Sequence, residues 1–383
     1  MCQIYITAYS CICCLGDDIQ EIFKNSLRAE PVFFTEDSEI IKGVKFPFGK
    51  VKKSLPQIND PKYNLRCNQL LVECSNRLKN EIDALIVKYG KYRVGVVIGT
   101  TNSGVDEFER SGDIDHSQIG NPAGFLVKYL GLKGYYSGVS TACTSGIKAF
   151  STAKKLVAND VCDAVIVGAT DALSKMPIFG FHSLEVLSQE KTIPFSQNRN
   201  GINIGEGAAL FILEKNKCEK SIEILGMGET SDAYHAATPD PDGIQASIAI
   251  EQALKDANLL PSDIDYINLH GTGTHSNDLM EANAVFRVFG DKIPSSSTKS
   301  LTGHCLGASS AVESALCCAI LDQNINKEKY LIPHCYDGVY DAMLPTVNLV
   351  SKNQKTDRLK YCLCNAFGFG GSNAVMILGV SDE

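Results

Sequence analysis

Short apolar runs rich in β-branched residues alternate along this chain with longer segments of helical periodicity. That alternation limits the available folds more than any other feature. Strands are predicted at Ile4–Thr7, Val94–Ile98, Ala164–Val167, Ala209–Leu213, Ile222–Leu225, Tyr266–Leu269, Tyr361–Cys364 and Ala374–Leu378. Helices are predicted at Ile19–Leu27, Asn68–Lys88, Ser145–Ala158, Gln245–Asn258, Asp278–Phe289 and Ala308–Gln323. Strands with no polar face must be covered on both sides, so the pattern specifies an α/β fold with buried sheets. The charged stretch Glu214–Ser221 marks a seam between two strands. Small residues feed a helix at Gly138–Lys154 and again at Ser297–Ala311, an echo across the seam that suggests two similar halves, 1–215 and 216–383.

Composition narrows the function classes. Lys plus Arg number 36 against 44 for Asp plus Glu, a net charge of −8. An acidic whole argues against non-specific nucleic-acid binding, which needs a basic face. No apolar run approaches the roughly 18 residues of a membrane span. The start Met1-Cys2-Gln3-Ile4-Tyr5 has no basic segment of the kind that opens a signal peptide. Fifteen cysteines, an odd number in a long chain, read as reduced thiols of a cytoplasmic protein rather than a disulfide framework. Neither Cys11-x-Cys13-Cys14 nor Cys362-x-Cys364 has the paired spacing of a zinc site, and no metal is expected.

Thr141-Ala142-Cys143-Thr144-Ser145-Gly146 opens a helix whose apolar stripe is Ile147, Phe150, Ala153, Leu156 and Val157. A cysteine at a helix N-terminus meets unpaired N–H groups, which lower its pKa and favour the nucleophilic thiolate. The same residues would also suit a buried cysteine packing a helix start. Tyr266–Leu269 delivers His270 to a strand's C-terminal end, where ligand crevices form in α/β sheets, although a lone histidine there is more often structural. His275 follows five residues on, but Gly271 and Gly273 disfavour a helical metal pair. A second histidine, His304, follows Lys299 in another small-residue turn before a helix. No other charge occurs from Pro294 to Val312, so Lys299 calls for a carboxylate partner, with Asp278 and Glu281 as candidates. Gly368-Phe369-Gly370-Gly371 lets backbone approach a ligand, or simply turns between the last two strands.

In series, Thr-Ala-Cys-Thr-Ser-Gly at 141–146, His-Gly-Thr-Gly-Thr at 270–274, Lys-x4-His at 299–304 and Gly-Phe-Gly-Gly at 368–371 resemble the β-ketoacyl-acyl-carrier-protein synthases of the thiolase superfamily. Ile4–Gly16 and Ile193–Gly201 with Gly205–Ala208 extend the likeness over almost the whole chain. The resemblance implies a thiolase-like five-layered αβαβα sandwich of two similar halves, usually dimerised. It implies Cys143 as the acylated nucleophile, His270 and His304 as the histidine pair, and Lys299 as their support with Glu281 as its carboxylate partner. Thr272 and Thr274 match residues that bind the phosphopantetheine arm. Phe369 matches a gating phenylalanine whose N–H joins that of Cys143 in an oxyanion hole. An acyl carrier protein is the implied partner, docking at Lys62, Arg66 and Arg199, and no cofactor beyond the carrier's own phosphopantetheine is implied. Homodimerisation and pairing with a chain-length-factor subunit are both compatible.

Asn200 stands where the family commonly has Asp, and cysteines occupy the first turn in place of Gly and Pro. These departures suggest a specialised branch, such as polyketide or aryl-polyene assembly. A degradative thiolase would want a second cysteine in the C-terminal glycine loop, where Phe369 stands instead. Chalcone-synthase relatives use Cys-His-Asn, which His304 after Lys299 argues against. A non-catalytic chain-length factor would generally lack Cys143.

Overall fold

The computed structural model describes residues 3–30, 34–38, 40–218 and 221–380. Met1 and Cys2, and Glu219 and Lys220 of the seam, lie outside the described residues. The strands are β1 Tyr5–Ile12, β2 Thr35–Asp37, β3 Phe46–Phe48, β4 Val94–Gly99, β5 Tyr136–Val139, β6 Ala164–Asp171, β7 Gly207–Glu214, β8 Ile222–Ser231, β9 Tyr266–Leu269, β10 Ser295–Ser297, β11 Tyr361–Gly368 and β12 Ser372–Gly379. The α-helices are α1 Ile19–Ser26, α2 Arg66–Arg77, α3 Lys79–Tyr89, α4 Val105–Ser111, α5 Asn121–Tyr129, α6 Ser145–Ala158, α7 Lys175–Ser183, α8 Ile244–Ala257, α9 His275–Phe289, α10 Lys299–Thr302 and α11 Ser309–Leu321.

Ten strands form one ladder in the order β10-β9-β11-β12-β8-β1-β7-β6-β4-β5. The order is the same read outward from the middle in both directions: β1-β7-β6-β4-β5 one way, β8-β12-β11-β9-β10 the other. Strand directions repeat too. β4 runs parallel to β5 and β6, as β9 does to β10 and β11, while β7 and β12 are antiparallel to both of their neighbours. Among the described residues the half-sheets join through the pairs Tyr5↔Glu223 and Ile6↔Ile222 and the Ile224 N–H on the Ile4 carbonyl. α6 and α11 pack against each other between the half-sheets, with α2, α3 and α5 outside one and α8 and α9 outside the other. The result is a five-layered α/β sandwich.

Burial explains these roles. Every residue of β6 and β7 is buried, as strands covered on both faces require. Every residue of α11 is buried as well, which suits its apolar circumference and its place in the middle layer. The helix expected over Asn68–Lys88 divides at Leu78, which leaves helical geometry (φ −100°, ψ 14°) and ends α2 as it begins α3. Buried Leu78 anchors that break, so Leu70, Leu71 and Cys74 on one helix and Ile82 and Leu85 on the next reach the same core. Among the described residues no cysteine is in a disulfide, and no helix is long and apolar enough to cross a membrane.

Candidate active site

Cys143 sits in a tight turn ahead of α6. Ala142 before it adopts φ 54°, a left-handed conformation that costs a non-glycine residue about 1–3 kcal/mol. The turn is tied by Ser145, whose hydroxyl donates to the Ala142 carbonyl (2.6 Å) and accepts from the Thr141 N–H (2.9 Å). A Cβ placed on Gly368 would lie 3.3 Å from the Cys143 nitrogen, so the glycine loop presses directly against the nucleophile. The sequence expectation of a lowered thiol pKa is corrected here. Burial pushes the Cys143 thiol up to about 11, outweighing the opposing Lys299 charge and the hydrogen bonds from the Phe369 N–H and its own. The side chain is 4% exposed, and at that depth desolvation exceeds what a helix terminus supplies.

Both imidazoles reach the sulfur. His304 Nε2 lies 3.1 Å from Cys143 Sγ, and the two rings are edge to face with centroids 5.4 Å apart. His304 Nδ1 accepts the Leu306 backbone N–H (3.1 Å) and lies 2.8 Å from the Ser309 hydroxyl. The ring proton therefore belongs on Nε2, facing the sulfur. His270 Nδ1 lies 3.3 Å from the Lys299 ammonium, a donor only, so its proton is on Nε2 too. Burial, then the Lys299 charge, holds both histidines well below the usual range. They are neutral N–H donors.

Lys299 pairs with Glu313 on α11 at 2.5 Å, and both are 1% exposed. This overturns Glu281 and Asp278 as its partners. The Glu281 carboxylate instead accepts the backbone N–H groups of His270 (2.7 Å) and Gly271 (2.6 Å) and the Asn365 amide (3.1 Å). Burial raises Glu281 to about 7, against those same hydrogen bonds. Asp278 accepts from Thr272, Gly273 and Phe195 N–H groups. Both acids brace the loop that carries His270 rather than the lysine.

Of the three docking residues, only Lys62 is exposed on the surface. Arg66 forms a bidentate pair with buried Glu206 (2.7 and 2.5 Å) and donates to the Val51 carbonyl. Arg199 is 4% exposed, donates to Asp341 (2.6 Å) and lies 3.6 Å from Asp278. Buried Arg199 is thereby withdrawn from the surface, whereas Arg66 is half-buried with its charge paired to Glu206.

A pocket of about 180 Å³ is lined by Cys143, His270, His304, Thr272, Thr274 and Phe369. The hydroxyls of Thr272 and Thr274 are 3.0 Å apart, and Thr274 also caps α9. Phe369 is 39% exposed and packs edge-on against Phe181 with centroids 5.3 Å apart. Ligand atoms of Cys143, His270 and His304 all lie within 4.8 Å of one another. The set suits a metal poorly, because both rings present N–H and reversing either tautomer would turn an N–H against Lys299 or the Leu306 amide. Sequence reasoning missed Glu313, Ser309 and Leu306. Glu313 alone left a trace, as the one acid inside the apolar run Ala311–Leu321.

The family model described as beta-ketoacyl synthase, N-terminal domain, matches residues 67–218, and its C-terminal counterpart matches residues 222–329. The chain belongs to the beta-ketoacyl synthase family. This synthase is 33% identical over 318 residues to 3-oxoacyl-[acyl-carrier-protein] synthase 2 of Staphylococcus aureus, covering 74% of this chain and 76% of that protein. It is 30% identical over 407 aligned positions to nodulation protein E of Rhizobium leguminosarum bv. trifolii, covering 98% of each. A chain of the solved ketosynthase ApeO in complex with its chain length factor ApeC, from Xenorhabdus doucetiae, superposes with a TM-score of 0.93 at 36% identity, covering 99% of this chain and 98% of that one. The synthase is an acyl-transferring, carbon–carbon bond-forming enzyme of fatty-acid or polyketide biosynthesis.

Proposed function

We propose that this synthase accepts an acyl group from an acyl carrier protein onto Cys143 and condenses it with a malonyl group delivered on the same kind of carrier. The observation behind this reading is the convergence of one sulfur and two N–H-bearing imidazoles, their ligand atoms within 4.8 Å, at a pocket that also holds Thr272 and Thr274.

The sulfur attacks the acyl thioester carbonyl, and the backbone N–H groups of Cys143 and Phe369 meet the oxyanion. The thioester C–S bond then breaks, and the carrier thiol leaves with the cysteine proton. A malonyl thioester enters with its phosphopantetheine arm on Thr272 and Thr274, past Phe369. Loss of CO2 leaves the electron pair as an enolate, whose oxygen receives N–H bonds from His270 and His304. The enolate carbon attacks the acyl-cysteine carbonyl. The bond from that carbonyl to sulfur breaks, the β-ketoacyl product leaves on the carrier, and the released Cys143 thiolate takes a proton from water. Lys299, neutralised by Glu313, keeps His270 in its donor tautomer. The half 1–215 supplies the nucleophile, and the half 216–383 supplies the imidazoles.

No separate cofactor is needed, since the carrier arm holds the substrates. Lys62 remains as a carrier-docking residue. The likeness to ApeO, solved with its chain length factor, and the departures at Asn200 and the first-turn cysteines favour a specialised polyketide or aryl-polyene branch. They also favour a heterodimer with a chain-length-factor-like subunit. The many unpaired thiols suit a cytoplasmic location.

Intact mass after incubation with acyl carrier protein tests the reading. The synthase should gain one acyl group, and Cys143→Ala should gain none. His304→Ala should retain acylation while malonyl decarboxylation falls by about 10²–10³, the usual cost of a lost preorganised donor. Undiminished decarboxylation would remove His304 from that role.

A further inference from the structure

We propose that Asp171, at the end of β6, is a positioning residue that fixes the proton on His304. Asp171 is fully buried, and its oxygens accept from five donors. Four belong to the loop after β4: the Thr100 hydroxyl (2.7 Å), the Thr101 N–H (3.0 Å) and hydroxyl (2.7 Å), and the Asn102 N–H (2.9 Å). The fifth is the Gly307 N–H at 2.7 Å. Burial raises the carboxyl's pKa, but three of the five donors are backbone N–H groups that cannot accept, so both oxygens are held as acceptors.

The fifth bond matters because of the residue before it. Leu306 has φ 53°, a left-handed conformation unusual for leucine. In that turn two consecutive amides diverge: Leu306 N–H points to His304 Nδ1 (3.1 Å), and Gly307 N–H points to Asp171. The fit is close, since a Cβ on Gly307 would lie 2.8 Å from Asp171 Oδ2 and 2.9 Å from the Thr101 nitrogen. Asp171 thus pins the far side of the turn whose near side occupies Nδ1, and Nε2 keeps the proton 3.1 Å from the Cys143 sulfur. Asparagine cannot replace it, because in either orientation its NH₂ faces backbone or hydroxyl donors. The catalytic value of this arrangement rests on the reading of His304 as an enolate donor.

Histidine labelled with ¹⁵N tests the proposal, with the His304 signals assigned by their absence in His304→Ala. The unaltered synthase should show a single Nε2–H tautomer at His304. Asp171→Asn should show mixed tautomers, with malonyl decarboxylation down by about tenfold or more and acylation of Cys143 within about threefold. Gly307→Ala retains the carboxylate but pushes the turn from it, and should shift the tautomer likewise should Asp171→Asn not fold. Unchanged ¹⁵N shifts in the folded variants would overturn the proposal. A shifted tautomer with full decarboxylation would uphold the positioning role and instead overturn His304 as the enolate donor.

Discussion

Replacing Lys299 with methionine should destabilise the synthase and, in doing so, identify its partner acid. The ammonium and the Glu313 carboxylate are 2.5 Å apart, and both residues are 1% exposed. Among the described residues the second carboxylate oxygen of Glu313 has no hydrogen-bond partner, so none of them offsets the stranded charge. Removing one member of a buried pair costs about 3–5 kcal/mol. Unfolding entropy of about 2.1 cal/mol/K per residue gives roughly 0.8 kcal/mol/K for a chain of 383 residues, so Tm should fall by about 4–6 °C. Lys299→Met combined with Glu313→Leu removes both charges and should recover most of that loss. Lys299→Met combined with Glu281→Leu should be worse than Lys299→Met alone, because Glu281 holds the amides of His270 and Gly271. Thermal unfolding at one fixed scan rate reads all four proteins. A Glu313 double variant no more stable than the single one would refute the pairing.

Other outcomes follow from the same geometry. With its thiol pushed up to about 11 by burial, Cys143 is protonated at neutral pH, so its thiolate fraction grows tenfold per pH unit. Iodoacetamide labelling of Cys143 should climb accordingly from pH 7 to 10, and a plateau below pH 8 would contradict burial as the dominant cause. Arg199→Ala should lower Tm through its partners, half-buried Asp341 and buried Asp278, while leaving the KM for carrier-bound substrate unchanged. Lys62→Glu should raise that KM in a salt-dependent way and spare small pantetheine thioesters. Gly146→Ala should cost about 1–3 kcal/mol in denaturant unfolding, because its Cβ would lie 2.5 Å from Ser310 Oγ and 2.8 Å from the Ala311 nitrogen.

The residues whose roles depend on local chemistry were legible in the sequence. The helix after Cys143 spans Ser145–Ala158 as its apolar stripe implies, and β9 ends immediately before His270. What depends on tertiary packing was not. Lys299 declared its need for an acid, but Glu313 reaches it from a helix in the middle layer, whereas nearby Glu281 turns to backbone amides. The pKa of Cys143 went the other way because a helix terminus is visible in sequence and depth of burial is not. β10 was missed because it is three serines, buried without an apolar signal. Arg66 and Arg199 looked like surface cations because nothing local announces Glu206 or Asp341.

The Ser310 hydroxyl on α11 accepts the Ile147 N–H at 3.1 Å and lies 3.4 Å from the Cys143 carbonyl, beside the close approach at Gly146. The spacing between sulfur and imidazole is therefore a dimension of the joint between the repeats, not of either loop. Widening that joint by the girth of one methyl group would spoil bond formation even with every reacting group present. Tolerance for drift in this enzyme should be lowest along that line of small residues, although neither Gly146 nor Ser310 lines the pocket.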